Sequence, residues 1–150
     1  MLHLRRPRPA RLLAAAGLLA LLVVPACSGS DSSTPSTTPL PTVPAGSWVD
    51  KTGKDTVEIQ VVDNAFRSQF TKVSPGTKVT FTNVGRNPHN VISVTAGQFT
   101  DIPTDKFQPD MSGTITVPTE PGEVPFYCSL HGTPRAGMNG RLLVVADKKK

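Results

Sequence analysis

Near the C-terminus, Cys128, His131 and Met138 stand on one short segment with the spacing Cys128-x2-His131-x6-Met138. The segment offers a thiolate, an imidazole and a thioether between the end of one apolar run and the start of the next. Gly132, Pro134 and Gly137 mark it as a loop, and a loop between strand ends can fold its side chains around one point. His89 lies well upstream, in a second loop that follows Asn87-Pro88. Two imidazoles, one thiolate and one weak thioether are the donor set of a blue-copper centre. The sulfurs suit Cu(I) and the imidazoles suit both oxidation states, so such a set cycles one electron with little rearrangement.

Each of these residues has a plainer role open to it. A free cysteine is often a small, inert core residue. His89 and His131 can be solvated loop histidines, Met138 can be core, and Met111, just before Ser112-Gly113, reads as core. The single-site reading gains from exhaustion of the supply. The chain has three histidines, and His3 falls in the N-terminal leader described next. Both remaining histidines, the cysteine left besides Cys27 and one of the two later methionines fit one site. Asp101, Asp105 and Asp110 lack calcium-loop spacing and read as a solvated polar loop.

The chain of 150 residues carries a formal charge of +5, and the length suits one domain. Four of its sixteen basic residues are Arg5, Arg6, Arg8 and Arg11, and three more are Lys148, Lys149 and Lys150. The body between them is slightly acidic, which excludes a basic nucleic-acid-binding stripe as the main reading. Residues 1–26 read as an export signal, with an Arg-rich start and an apolar run from Leu12 to Val24. As a helix that run spans about 20 Å, short of the roughly 30 Å of a hydrocarbon core. Val24-Pro25-Ala26-Cys27 resembles a bacterial lipobox, which implies cleavage before Cys27 and a lipid on its thiol. Residues 27–47, rich in Ser, Thr and Pro, then form a linker that cannot bury a core. As extended polyproline such a segment reaches roughly 60 Å. The expected product is an exported domain held by lipid at the outer face of a bacterial membrane.

From residue 48 onward the elements that must position the donors are strands. Val57, Ile59 and Val61 alternate with polar neighbours, as do Val79 and Phe81 within Thr77–Asn83. Further β-rich runs are Asn90–Thr95, Gly113–Val117, Val124–Cys128 and Gly140–Ala146, with turn signals at Ser74-Pro75-Gly76, Asn87-Pro88 and Glu120-Pro121-Gly122. No helical period appears after the linker. The expectation over 48–150 is an all-β, antiparallel, two-sheet Greek-key sandwich.

From about Val57 to Val145 the chain resembles a cupredoxin of the plastocyanin type. The resemblance is carried by Ser74-Pro75-Gly76-Thr77 leading into Val79-Thr80-Phe81, by Pro88-His89-Asn90-Val91, by Phe126-Tyr127-Cys128-x2-His131, and by Gly137-Met138-x-Gly140. It implies copper held by His89, Cys128 and His131 in the equatorial plane and by Met138 axially. It also implies that Asn90 ties the two ligand loops together and bonds toward the Cys128 sulfur. One departure stands out: six residues separate His131 from Met138, where plastocyanins usually have four.

The function expected on this basis is single-electron transfer by a monomer that is not an enzyme. An unidentified redox protein would dock on the apolar surface around His131, formed by Leu130 and Pro134, with Arg86 and Arg135 at its rim. Copper capture or delivery is the alternative, although carriers of that kind usually show open clusters of Met or His, and only Met111 remains here. Copper enzymes with further histidine-rich centres are excluded by the histidine count. A Cys-His hydrolase would leave His89 and Met138 without a role.

Overall fold

A computed structural model describes residues 38–146 of the chain. The leader at 1–26, the lipid site Cys27 and the linker up to residue 37 lie outside the described residues. Among the described residues no helix is long and apolar enough to cross a membrane.

The described residues form strands β1 (Val49–Asp50), β2 (Thr56–Val62), β3 (Ala65–Phe66), β4 (Phe70–Val73), β5 (Lys78–Asn83), β6 (Ile92–Ser93), β7 (Ser112–Thr116), β8 (Gly122–Gly132) and β9 (Gly137–Val144), with short 3-10 turns at Ala45–Ser47 and Thr104–Lys106. One sheet has the order β1-β4-β9-β8-β6 and the other β3-β2-β5-β7. Alternation makes the sandwich: β2 buries Val57, Ile59 and Val61, and β5 buries Val79, Phe81 and Asn83, each every second residue. The core between the sheets is centred on Phe66, Phe81 and Phe126, whose rings meet edge to face with centroids 4.9 to 5.9 Å apart. Gly140 on β9 leaves room for this trio, because a Cβ there would lie 2.5 Å from Phe126 Cζ.

The two-sheet all-β architecture is the expected one, but the sheets are mixed rather than antiparallel throughout. β2 pairs with β5 in parallel, as do β4 with β9 and β1 with β4. The chain alternates between sheets from β3 to β8, so most strand neighbours are not consecutive in sequence and no hairpin forces them antiparallel. The period-2 pattern reports which face is buried and carries no information on strand direction. It also left out β1, β3 and β4, which are too short or too polar to show it. The run Asn90–Thr95 contributes only the two residues of β6, with Val91 bridging Ile102 separately. Met111 is not core; it is 44% exposed.

The end of the expected linker, residues 38–47, lies on the domain. The Arg135 guanidinium donates to the Thr38 carbonyl and that of Arg141 to the Pro41 carbonyl. Trp48 then packs on Phe70. Contacts to the domain thus begin upstream of Trp48, within residues 38–47. Composition hid this because the contact needs no apolar side chain: a proline-rich segment has few N–H donors, and its carbonyls stay available to arginines.

Candidate metal centre

His89 is brought in by the loop that follows β5. Asn83, the last residue of β5, is fully buried on the inward phase of the strand, and the loop wraps around its amide. That side chain donates to the carbonyls of Asn87 (2.9 Å) and Phe107 (3.3 Å) and accepts from the Gly85 N–H (3.0 Å). The Phe107 carbonyl also accepts the His89 N–H at 3.2 Å, so one buried asparagine and one carbonyl set the path of the chain into His89. From outside, the Asp63 carboxylate accepts the Arg86 N–H at 2.7 Å.

Cys128 and His131 come from β8. In a regular strand, residues three apart point to opposite faces. Here the β8–β9 register breaks: pairing is regular up to Tyr127↔Asn139 and resumes at Gly132↔Gly137. The four residues Cys128 to His131 therefore stand against the single residue Met138. This extended bulge lets the thiol and the imidazole turn to the same point. It also sets Met138, 1% exposed, directly across from both. The long His131–Met138 spacing is taken up by a hairpin closed by the Gly132↔Gly137 pair. Its turn, Thr133 to Ala136, is held by the Thr133 N–H on the Ala136 carbonyl at 2.8 Å.

The donors converge. Cys128 Sγ lies 3.7 Å from His89 Nδ1 and 3.6 Å from His131 Nδ1, and all three ligand atoms fall within 4.8 Å of one another. A divalent ion about 2.0–2.1 Å from nitrogen and about 2.3 Å from sulfur, at tetrahedral to trigonal angles, leaves nitrogen and sulfur about 3.5–3.8 Å apart. The donor set fits a metal without movement. Cys128 and His89 are fully buried and His131 is half-buried. Burial, followed by the neighbouring His131, pushes the His89 imidazole below its ordinary pKa, while Asp63 acts weakly the other way. The neutral ring favoured by the first two effects is the form a metal needs. Its Nε2 is buried with no hydrogen-bond partner among the described residues.

Asn90 links the ligand loops as expected, but not through the sulfur. Its amide donates to Ser129 Oγ at 2.8 Å and Thr104 Oγ1 at 3.2 Å, and its oxygen accepts the Ser129 N–H at 2.8 Å. The residue next to Cys128 takes the bond because the bulge leaves the Ser129 amide without a partner on β9. Arg86 and Arg135 are not free guanidiniums: Arg86 pairs with Asp63 at 3.1 Å and Arg135 holds Thr38. Leu130 is 51% exposed and Pro134 half-buried. Sequence reading missed Asn83 and Asp63. Asn83 had a signal, as a polar residue on the inward phase of a strand; Asp63 had none.

A family model described as copper binding proteins of the plastocyanin/azurin family matches residues 54–145. A search of curated proteins gave no match. Among solved structures, a tryptophan-to-tyrosine mutant of amicyanin in its reduced form is similar at 21% identity, with a TM-score of 0.51 over 62% of this chain and 85% of that one. A methionine-to-glutamine mutant of amicyanin in its Cu(I) form is similar at 20% identity, with a TM-score of 0.51 over 61% and 83%. At that identity the likeness speaks to the fold, the cupredoxin β-sandwich; the family model and the convergent His-Cys-His donors speak to copper. With residues 54–145 matched and the three donors in place, the chain belongs to the plastocyanin/azurin family of copper-binding proteins.

Proposed function

We propose that the protein is a single-electron carrier with a type 1 copper site, in which His89, Cys128 and His131 would hold the metal and Met138 would add a weaker thioether donor. The observation that carries this reading is the graded burial of a preformed donor set: Cys128 and His89 are sealed from solvent while His131 reaches the surface. Copper, when bound, supplies a one-electron couple to which thiolate and imidazole donors are suited in both states. The chain's own residues keep the donors from moving. Asn83 fixes the His89 loop, Asn90 ties it to Ser129, and the Gly132–Gly137 hairpin holds His131 against Met138. Sealing Cys128 protects the thiol from oxidation.

His131 is then the exit. Leu130 and Pro134 beside it form an apolar surface for brief docking of a redox protein, with the modest area of such encounters. Because Arg86 and Arg135 already have partners in this chain, the apolar part of that surface carries more of the docking than the charges at its rim. The carrier acts as a monomer, and lipid on Cys27 holds it at the outer face of a bacterial membrane.

Copper-loaded protein should be intensely blue with narrow copper hyperfine splitting. Cys128→Ser should lose the colour and keep the fold. A blue band that survives that substitution, or copper surrendered readily to a mild chelator, would overturn the carrier reading. Cys27→Ala should move the protein from the membrane fraction to the soluble exported one; a wild type without lipid by mass spectrometry would refute the anchor.

A further inference from the structure

The loop that delivers His89 is gripped by a carboxylate that copper ligation does not use. Asp63 follows β2, and its side chain is 29% exposed. It accepts the Arg86 backbone N–H at 2.7 Å and Arg86 Nε at 3.1 Å. The approach is close enough to exclude a side chain on the neighbouring residue, since a Cβ on Gly85 would lie 2.7 Å from Asp63 Oδ1. Charge on the two partners is unequally screened. The Arg86 side chain is 91% exposed, so water damps the field of the guanidinium more than that of the carboxylate. The less screened carboxylate therefore sets the sign of the pair's field at the ligand loop that it grips.

We propose that Asp63 is a positioning residue for the His89 loop and that its carboxylate, partly balanced by Arg86, lowers the reduction potential of the copper site. The inference rests on copper binding by this family and not on electron transfer to any partner. Negative charge near the metal favours Cu(II), so removing it should raise the potential. Removing Arg86 uncovers the same charge and should lower the potential. A purely mechanical clamp would behave differently, because either substitution loosens the same contact and both shifts would share one sign.

The test is voltammetry at low ionic strength on copper-loaded wild type, Asp63→Asn, Arg86→Gln and the double variant. Amide hydrogen exchange at Arg86 in copper-free wild type and Asp63→Ala gives a readout that needs no metal. Expected are a raised potential in Asp63→Asn, a smaller lowering in Arg86→Gln, and a return toward wild type in the double variant. In Asp63→Ala that amide should exchange roughly tenfold faster or more, the loss expected for a hydrogen bond to a charged group. Shifts of the same sign, no shift, or unchanged exchange would overturn the proposal. A wild type that takes up copper without turning blue would instead refute the type 1 site itself.

Discussion

Gly132 and Gly137 close the β8–β9 hairpin against each other, and neither has room for a side chain. A Cβ on Gly132 would lie 2.3 Å from the Met138 nitrogen, and one on Gly137 would lie 2.6 Å from the His131 carbonyl oxygen. A side chain at either glycine would thus collide with the backbone of His131 or Met138, the residues that flank the hairpin. Gly137 also has φ +73, in the left-handed region. Gly137→Ala should therefore lower the thermal midpoint by an amount corresponding to about 1–3 kcal/mol. It should weaken copper binding as well, since His131 must move. Calorimetry and copper titration check both, and an alanine variant with wild-type affinity would show that the hairpin does not position His131.

Met138 is opposed to the ligand bulge by register, and its side chain is buried. Met138→Leu should keep copper and colour and raise the reduction potential, because Cu(II) loses more from a missing thioether than Cu(I) does. The swap nearly conserves volume, so its stability cost should stay below about 1.5 kcal/mol. Voltammetry decides the matter: an unchanged potential would remove Met138 from the ligand set.

Arg141 is 7% exposed, pairs with Glu123 at 2.9 Å and holds the Pro41 carbonyl. Arg141→Ala should cost about 1–3 kcal/mol, the range for hydrogen bonds to a charged group in a partly buried site. Arg135 is exposed, and its alanine variant should cost no more than about 1 kcal/mol. Both substitutions should make residues 38–44 more open to proteolysis, and Arg141→Ala more so. Limited digestion followed by mass spectrometry reads this directly.

Asp63 titrates below the ordinary carboxyl value of 3.8, chiefly because the Arg86 N–H bonds to it. A depressed folded pKa means that its contribution to stability is fully present above the unfolded value and is lost as pH falls through the folded one. Acid unfolding of copper-free wild type should therefore steepen below about pH 4. Asp63→Asn should flatten that part of the stability–pH curve and leave it unchanged near neutrality apart from a constant offset. Identical acid limbs in the two proteins would count against the clamp.

The identity of the donors was legible in the chain itself. Few histidines, one cysteine beyond Cys27 and a glycine-punctuated segment left little else for Cys128, His131 and His89 to do, because a thiol and two imidazoles in so small a supply have one economical use. Burial patterns were legible for β2 and β5, where alternation is a local property of the strand. Three things were not. Strand direction depends on how the chain crosses between sheets, which no local period encodes. The fit of Cys128 and His131 to one metal depends on a register break against β9, a non-local pairing that turns two residues of opposite strand phase to the same side. The hold of Arg135 and Arg141 on residues 38–41 depends on backbone carbonyls, which every residue has and no side-chain pattern reveals. Side-chain chemistry is written residue by residue in the sequence; the partners of backbone groups exist only once the sheets have formed.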